Sequence, residues 1–502
     1  MRVSISSNMS SSEIKEASSS DKEDLTPSKV HTRIDVENNS DGSLDIEAGK
    51  ENVVDSPPGS DDPDIDAGYA WVICFACFLF NFATWGMNSG FAIYFANYLN
   101  NNTFPGANKM DYSYIGGLAF GVGLFFSPVL TVIQGKIGLR PTLAIGNCLE
   151  FTALMLASFS TKLWQLYLTQ GVMQSLGLAF LSVPSVSLVP QYFRKRRILA
   201  GSLATAGSGV GGIVFNLGMQ KVVEARSVFW ALRVQSIIAF VLGWVAIALA
   251  KKKKNLPPIK FAMFDKEVLK SASFYLLAFF CITCMFGYVI VLYTLAQFTT
   301  SLGYSEYQGS IVSAMVQVGS CFGRPIVGYA SDRLGAATVS TTAYTIVGIL
   351  CFAMWIPARS LATVIVFAII QGGLMGAIYG MIAPLIARLF GLKKMNLVLA
   401  NVWCFLGIAG LFSPVIGIKL KHGEGGFVDP TQYVDCSIFA GVSFMCCALT
   451  LLIIRGYIKA RDYMLAQRGG DSKDTDFSDY TGITVPFTQV FRHMFSYKYG
   501  KI

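Results

Sequence analysis

Charge is scarce in this 502-residue chain. Only 14% of its residues are Asp, Glu, Lys or Arg, whereas 53% are hydrophobic. A soluble domain carries about 25% charged residues. A shortage of this size is typical of a chain whose surface meets lipid, because a span in a bilayer must be apolar wherever it faces lipid.

Groups that catalysis or metal binding would need are also rare. The three histidines, His31, His422 and His493, all lie outside the long apolar stretches, which argues against an intramembrane di-iron or zinc enzyme. No G-x-x-x-x-G-K-[ST] sequence is present, so an ATP-driven pump in one chain is not expected. The 11 cysteines lack metal-binding spacing in any aqueous loop, so we interpret them as free thiols. We expect no enzyme, no metal and no cofactor.

Long apolar stretches dominate the chain between Tyr69 and Tyr457. A hydrocarbon core roughly 30 Å thick takes about 20 helical residues to span, and about twelve stretches have that length. The predicted spans are residues 69–97, 113–134, 140–160, 163–190, 198–220, 229–250, 272–298, 307–330, 337–357, 361–389, 396–418 and 435–457. The predicted fold class is an all-α membrane protein with twelve transmembrane helices in two six-helix halves, 65–250 and 272–458, joined by a cytosolic central loop, 251–271.

The two tails and the loops carry the topology signal. Residues 1–66 hold 16 acids against 6 bases, and we predict that residues 1–64 form a disordered acidic cytosolic tail without a cleavable signal peptide. With residues 459–502 as a second cytosolic tail, 17 lysines and arginines lie in cytosolic loops and seven in the opposite loops. The positive-inside rule favours this orientation. The basic loops are therefore read as topology signals at the lipid bilayer, and no nucleic-acid partner is expected.

Two ionisable side chains lie well inside the predicted spans, Glu150 and Arg324. A charge at the centre of a bilayer costs several kcal/mol unless a partner or water compensates it. Glu150, in the middle of the third span, is either a neutral, hydrogen-bonded structural residue, which we favour, or a proton site. Arg324 cannot lose its proton, so it is the first candidate for function.

The first of three local patterns is D-A-G-Y-A-W, from Asp66 through Gly68 to Trp71. A carboxylate at a helix start and aromatic rings at the headgroup level form a suitable interfacial anchor. The second pattern is Y-F-R-K-R-R-I-L-A-G, which includes Arg196 and Arg197. Its basic run is expected to hold the loop in the cytosol.

Glycines follow the second pattern, with Gly207 and Gly211 four residues apart. This spacing lets another helix backbone approach closely. Helix packing is the favoured interpretation, and a gating role would be additional to it.

The third pattern is G-R-P around Arg324, followed by G-Y-A-S-D-R-L-G, which contains Asp332, Arg333 and Gly335. Asp332 is expected to cap a helix end or to form a salt bridge there.

These patterns resemble sequences of the major facilitator superfamily and, within it, of the monocarboxylate porter family. The third pattern is similar to the facilitator G-x-x-[AS]-D-[RK]-x-G loop, and the first to the porter signature [DE]-G-[GS]-[WFY]-[GA]-W, with Ala67 in place of a glycine. The second resembles the porters' loop between spans four and five. The resemblance covers residues 66 to about 463 and is strongest to the fungal branch of monocarboxylate-transporter homologues. It implies two halves that rock around a site near the midplane of the membrane.

The resemblance also implies roles for particular residues. Arg324 would contact the carboxylate of the substrate, but Ser320 stands where the porters carry a proton-coupling aspartate. The porters' lysine late in span one has no counterpart in the segment 86–89. Both departures argue against a proton–lactate carrier. Spans one, four, seven and ten would surround the cavity, and their polar residues include Asn81, Asn88, Gln170, Gln174, Tyr288, Tyr293, Gln371 and Tyr379.

The expected function is a secondary active or facilitative transporter that moves a small organic solute, a monocarboxylate or another organic anion, by alternating access. Its partners would be that solute and, where uptake is proton-coupled, a proton. The alternatives are a carrier of a different nutrient, such as a vitamin, and a non-transporting nutrient sensor. The family default is the plasma membrane, with the vacuolar membrane as the alternative.

Overall fold

A computed structural model describes residues 66–253, 262–422, 429–467 and 485–495. The predicted acidic tail, 1–64, lies outside these residues. The helices are α1 (Tyr69–Gly86), α2 (Phe91–Asn100), α3 (Lys109–Phe125), α4 (Ser127–Ile137), α5 (Leu139–Ala157), α6 (Leu163–Tyr192), α7 (Arg197–Ala225), α8 (Val228–Leu249), α9 (Lys266–Lys270), α10 (Ala272–Ser301), α11 (Glu306–Leu334), α12 (Ala336–Trp355), α13 (Leu361–Phe390), α14 (Met395–Lys419), α15 (Pro430–Gln467) and α16 (Phe487–His493). The described residues contain no β-strand.

Ten of the helices are long and apolar enough to cross a membrane, and the bent pair α3–α4 makes an eleventh crossing. The predicted third span is α5, which has 19 residues and carries Arg140, Asn147 and Glu150. With these polar groups, α5 is not among the ten helices apolar enough to count as spans. It nevertheless packs along both α6 and α8, as a helix inside the bundle does. The all-α fold in two membrane-embedded halves is confirmed.

Two predicted spans differ from the observed helices. The first, 69–97, is interrupted after α1, whose last turn, Phe82–Gly86, is a π-helical segment, and the chain turns at residues 89–90 before α2. A π-helical turn releases backbone hydrogen bonds and commonly marks a functional position. The second, 113–134, bends by 49° between α3 and α4, where Pro128 cannot supply a backbone N–H.

The two halves meet mainly along two pairs of helices. Helix α7 of the first half packs against α11 of the second, and α3 packs against α14. Helix α1 begins and α15 ends on the same face of the bundle, together with the loops 193–196 and 391–394. We call this face the tail side. The two long interfaces leave space between the halves near the middle of the bundle, and Arg324 lies there.

Candidate functional site

A small central cavity lies between the two halves. Helices from both halves contribute to it, so any motion of one half against the other changes its shape. Its lining residues are Asn81, Trp85, Ser89, Phe120, Ser208, Tyr288, Leu292, Gln317, Arg324 and Tyr379.

Arg324 is the charged group of the central cavity. It belongs to α11 and is only 4% exposed. Its Nη1 donates to the carbonyl oxygen of Thr205 at 2.7 Å and to the hydroxyl of Ser208 at 2.7 Å, both on α7 of the other half. Its Nε is buried without a hydrogen-bond partner. Across the described ranges, no carboxylate lies within salt-bridge distance of this guanidinium, so no opposite charge compensates it.

A glycine makes room for the guanidinium. A Cβ at Gly376 would lie 2.5 Å from Nε of Arg324, so a side chain at this position would displace the guanidinium. This glycine lies at a turn in the middle of α13. The guanidinium of Arg324 therefore packs against the point where that helix is interrupted.

Aromatic rings form the other wall of the cavity. The Tyr379 ring lies 5.4 Å from Cζ of Arg324, a cation–π distance. Trp85 and Tyr288 each pack with their ring centroids 5.7 Å from that of Tyr379, and Trp85 also contacts Phe120 at 5.7 Å. A fixed cation beside apolar aromatic faces suits an anionic ligand with an apolar body.

The structure brings together three of the residues predicted to bind substrate, Arg324, Tyr288 and Tyr379. Tyr293 does not line the cavity. Its ring packs against that of the lining residue Phe120, with the two centroids 6.2 Å apart. Asn88 is buried next to the turn after α1, and both atoms of its amide group lack a hydrogen-bond partner.

The three predicted glutamines do not line the central cavity. Gln170 accepts a hydrogen bond from the hydroxyl of Tyr98 at 3.4 Å, and Gln371 donates to the sulfur of Cys351 at 3.5 Å. Gln174 is buried on α6, and its carbonyl oxygen has no partner. Each lies inside its own half.

Glu150 also lies away from the central cavity. It is 2% exposed on α5, and one carboxyl oxygen has no hydrogen-bond partner. A Cβ at Gly177 of α6 would lie 2.7 Å from the Glu150 backbone nitrogen, so the residue sits at a tight contact within the first half.

Several lining residues were not singled out as site residues from the sequence. Trp85, Ser208 and Gln317 are three of them. Ser208 directly follows Gly207, whose spacing was noted from the sequence, whereas the π-helical turn that contains Trp85 is visible only in the structure. Nothing in the local sequence distinguished Gln317.

A second small cavity continues from the first toward the tail side. Asn81 and Tyr379 line both cavities, so Tyr379 stands between them. Cys77 lines the second cavity from α1, and Arg197 lines it near the start of α7. The two cavities therefore trace a path from Arg324 to the tail side that the Tyr379 ring interrupts.

The first two sequence motifs meet on the tail side. The carboxylate of Asp66 accepts hydrogen bonds from the backbone N–H groups of Arg194, Lys195 and Arg196 at 3.2, 2.9 and 3.1 Å. The ring of Trp71 packs against Phe193 at 5.1 Å. The D-A-G-Y-A-W motif therefore holds the loop between α6 and α7 within the first half.

Asp332 of the third motif binds residues 198 and 199, which follow shortly after the loop that Asp66 holds. Its carboxylate accepts from the backbone N–H groups of Ile198 at 3.1 Å and Leu199 at 2.8 Å. These groups belong to the first turn of α7, where the helix dipole favours a negative charge. Because Asp332 lies in the second half and α7 in the first, the contact joins the two halves. We call it the tail-side latch.

The other motif residues support these contacts. Gly68 and Gly335 precede α1 and α12 with φ angles of 53° and 100°, in the left-handed region that favours glycine. Arg197 donates from Nε to the carbonyl oxygen of Phe193 at 2.8 Å. The guanidinium of Arg333 lies 4.4 Å from the ring of Tyr329.

The glycines of α7 contact two different helices. A Cβ at Gly207 would lie 2.1 Å from the Phe78 carbonyl oxygen, and one at Gly211 2.5 Å from that of Phe82. Both therefore pack against α1 of their own half. Gly209 faces the other half instead, where a Cβ would lie 2.8 Å from the Cys321 nitrogen.

Comparison with known proteins agrees with this architecture. The family model of the Major Facilitator Superfamily matches residues 73–414 and 276–498. The chain is 41% identical over 471 residues to the "Probable transporter MCH2" of Saccharomyces cerevisiae, covering 92% of this chain and 96% of the relative. It is 33% identical to the "Uncharacterized transporter ESBP6" of the same yeast, over 78% of this chain and 60% of the relative.

A solved structure shares the fold at low sequence identity. It is a bacterial homologue of the iron transporter ferroportin in an outward-facing state, with a TM-score of 0.59 and 13% identity, covering 77% of this chain and 99% of that one. At this identity the likeness concerns the fold alone. The family match, the yeast relatives and the two-half architecture together show that this chain is a member of the Major Facilitator Superfamily, a family of membrane transporters.

Proposed function

We propose that this protein carries a small organic anion across its membrane by alternating access, with Arg324 as the group that binds the anion. The observation that carries this proposal is a buried guanidinium in a cavity between two halves, without a carboxylate partner among the described residues. Leaving such a charge unpaired inside a membrane protein is costly. An anionic solute that enters the cavity supplies the missing countercharge.

The lining of the central cavity favours a carboxylate with an apolar or planar body. Trp85, Tyr288 and Tyr379 offer ring faces to such a body, and Arg324 offers donors to the carboxylate. The motif around Asp66 and the similarity to the yeast transporter MCH2 support a place in the fungal branch of the monocarboxylate porter family. Ser320, one turn before Arg324, has a buried hydroxyl without a partner, and it cannot accept a proton as an aspartate would.

Alternating access requires the contacts between the halves to break on one side at a time. On the tail side the latch between Asp332 and the first turn of α7 is a polar contact that must open. Tyr379 must also move, since it separates the central cavity from the tail-side cavity. Opening the latch and displacing this ring would connect Arg324 to the tail side.

Glu150 is proposed as a neutral structural residue and not as the proton carrier. It lies on α5 against α6, and both helices belong to the first half. Motion of one half against the other leaves that contact intact, so Glu150 has no direct route to the anion at Arg324.

Both tails are proposed to face the cytosol of a fungal cell, with the plasma membrane as the site of action. The bias of 17 basic loop residues against seven supports this orientation. Protease protection of a tag at residue 502 in intact cells tests it.

The experiment for the proposed function uses the purified protein in proteoliposomes. Uptake of a labelled aromatic monocarboxylate is compared with uptake of its neutral amide, with and without a pH gradient. We expect the carboxylate to enter at least tenfold faster, which corresponds to about 1.4 kcal/mol of preference. Equal rates for the two solutes would contradict the anion assignment. Saturable binding of the carboxylate without any flux would favour the nutrient sensor instead.

A further inference from the structure

The short helix α16 near the carboxyl terminus packs against the end of the last membrane helix. A Cβ at Gly456 of α15 would lie 2.6 Å from the Val490 carbonyl oxygen and 3.2 Å from Cα of Met494. Arg455 donates from Nη1 to the Met494 carbonyl oxygen, and the rings of Tyr463 and His493 lie 5.0 Å apart. One face of α16, formed by Val490 and Met494, is therefore buried against α15.

A second face of α16 carries exposed aromatic side chains. Phe487 and Phe491 of α16, and Phe495 in the turn directly after it, are 71%, 63% and 65% exposed, and they recur every four residues. This spacing aligns them along one side of a helix. The polar residues Thr488 and Arg492 lie on the remaining side and are exposed. Three aligned phenylalanines form a larger apolar surface than the scattered exposed side chains that are normal in proteins.

The position of α16 along α15 places it at the edge of the bilayer. Gly456 lies 22 residues after Val434, where the α-helical part of α15 begins, which is about 33 Å along the helix axis. A hydrocarbon core is roughly 30 Å thick. Basic side chains begin at this level with Arg455 and continue with Lys459. Helix α16 therefore packs where the acyl chains give way to the headgroups.

The exposed phenylalanines continue a surface that already faces lipid. Val442, Met445 and Leu449 form an exposed apolar stripe along α15, which in a membrane helix contacts acyl chains.

We propose that α16 is an interfacial helix whose aromatic face, Phe487, Phe491 and Phe495, inserts into the tail-side leaflet of the bilayer. Val490 and Met494 hold the helix on α15, the phenylalanines bury their rings at the acyl–headgroup boundary, and Arg492 remains at the headgroups. The helix fixes the carboxyl-terminal segment to the membrane surface next to the end of the last span.

Photocrosslinking of the full-length protein in lipid nanodiscs tests this assignment. p-Benzoylphenylalanine replaces Phe491 on the aromatic face, Thr488 on the polar face or Val490 on the docked face, each in a separate variant. Mass spectrometry then identifies what each position captures. We expect Phe491→p-benzoylphenylalanine to capture phospholipid, the variant at Thr488 to capture none, and the variant at Val490 to capture the α15 peptide around Gly456.

Each other outcome overturns part of the proposal. If position 491 captures a second copy of the chain or no lipid, while position 490 still captures α15, the aromatic face does not insert into the leaflet. If position 490 fails to capture α15, the docking of the helix itself is wrong. Equal lipid capture at 488 and 491 would show a helix without a preferred face.

Discussion

The tail-side latch allows a quantitative prediction for Asp332→Asn. The carboxylate of Asp332 accepts one hydrogen bond at each oxygen, from Ile198 at 3.1 Å and from Leu199 at 2.8 Å. An asparagine keeps one acceptor oxygen and presents an amide to the second N–H group. The variant therefore loses one charge-assisted hydrogen bond and the attraction of a full charge for the start of α7.

The partial exposure of Asp332 determines how much stabilisation of the closed tail side the variant is expected to lose. A hydrogen bond to a charged group contributes about 1.5–3 kcal/mol, and a charge at a helix N-terminus about 0.3–1 kcal/mol. Asp332 is only half-buried, so we take the lower ends and expect about 2 kcal/mol. That shifts the equilibrium between closed and open tail side by about 30-fold toward the open state.

A native cysteine reports on this equilibrium. Cys77 is 1% exposed and lines the tail-side cavity, so a water-soluble maleimide reaches it only when the tail side opens. Peptide mass spectrometry separates its alkylation from that of the other cysteines. We expect Asp332→Asn to accelerate the labelling of Cys77 by about 30-fold, because the labelling rate follows the open population when opening is fast.

The matched control is Asp66→Asn. Asp66 accepts hydrogen bonds from the N–H groups of residues 194–196, next to those that bind Asp332. Asp66 and these three residues all lie in the first half. This change should loosen the loop and leave Cys77 labelling within about twofold of the unaltered protein, a difference of about 0.4 kcal/mol. Equal acceleration of Cys77 labelling in the two variants, or no acceleration in Asp332→Asn, would show that the Asp332 contact does not hold the tail side closed.

Two further variants test the helix interface and the buried acid. Gly209→Ala places a Cβ 2.8 Å from the Cys321 nitrogen and should destabilise the closed contact between α7 and α11 by about 1–3 kcal/mol. Uptake should fall at least fivefold, whereas Gly218→Ala, with nothing within 4 Å of the new Cβ, should be neutral; a fall in both would point to helix propensity or folding. Glu150→Gln should keep the uptake rate within about fivefold of that of the unaltered protein and leave the pH dependence of uptake unchanged. The reason is that an amide takes the place of a neutral acid, a substitution expected to cost about 1 kcal/mol of stability. Loss of the pH dependence in that variant would make Glu150 the proton site.

The features that could be predicted from the sequence are those that depend on composition and on the spacing of residues. Twenty-residue apolar stretches, the basic loops and the isolated charge at Arg324 indicated the two-half membrane fold and its central candidate. The break after α1 was not predicted, because the long apolar stretch 69–97 was read as one span, although Asn88, Ser89 and Gly90 in its middle are residues typical of turns. The low hydropathy of α5 was visible in Asn147 and Glu150 and could have lowered the expected number of strongly apolar spans.

The contacts of the motifs were harder to predict than their presence. Asp66 and Asp332 both bind backbone N–H groups, which every residue except proline possesses, so no side-chain pattern marks their partners. The orientation of polar residues was also hidden, since helices that are apolar on all sides carry little periodicity. Gln170 and Gln371 were therefore assigned to the cavity by polarity, although each forms its hydrogen bond within its own half.

The central claim is that Arg324 binds the anion, and one comparison tests it most directly. Uptake of an aromatic monocarboxylate and of its amide is measured for Arg324→Ala, Arg324→Lys and the unaltered protein at equal abundance in proteoliposomes. We predict that Arg324→Ala abolishes the preference for the carboxylate along with its transport. Arg324→Lys should restore little, because an ammonium cannot reproduce the planar fork of donors. Normal carboxylate transport and preference in Arg324→Ala would contradict the account and make Arg324 a structural charge that holds α11 to α7.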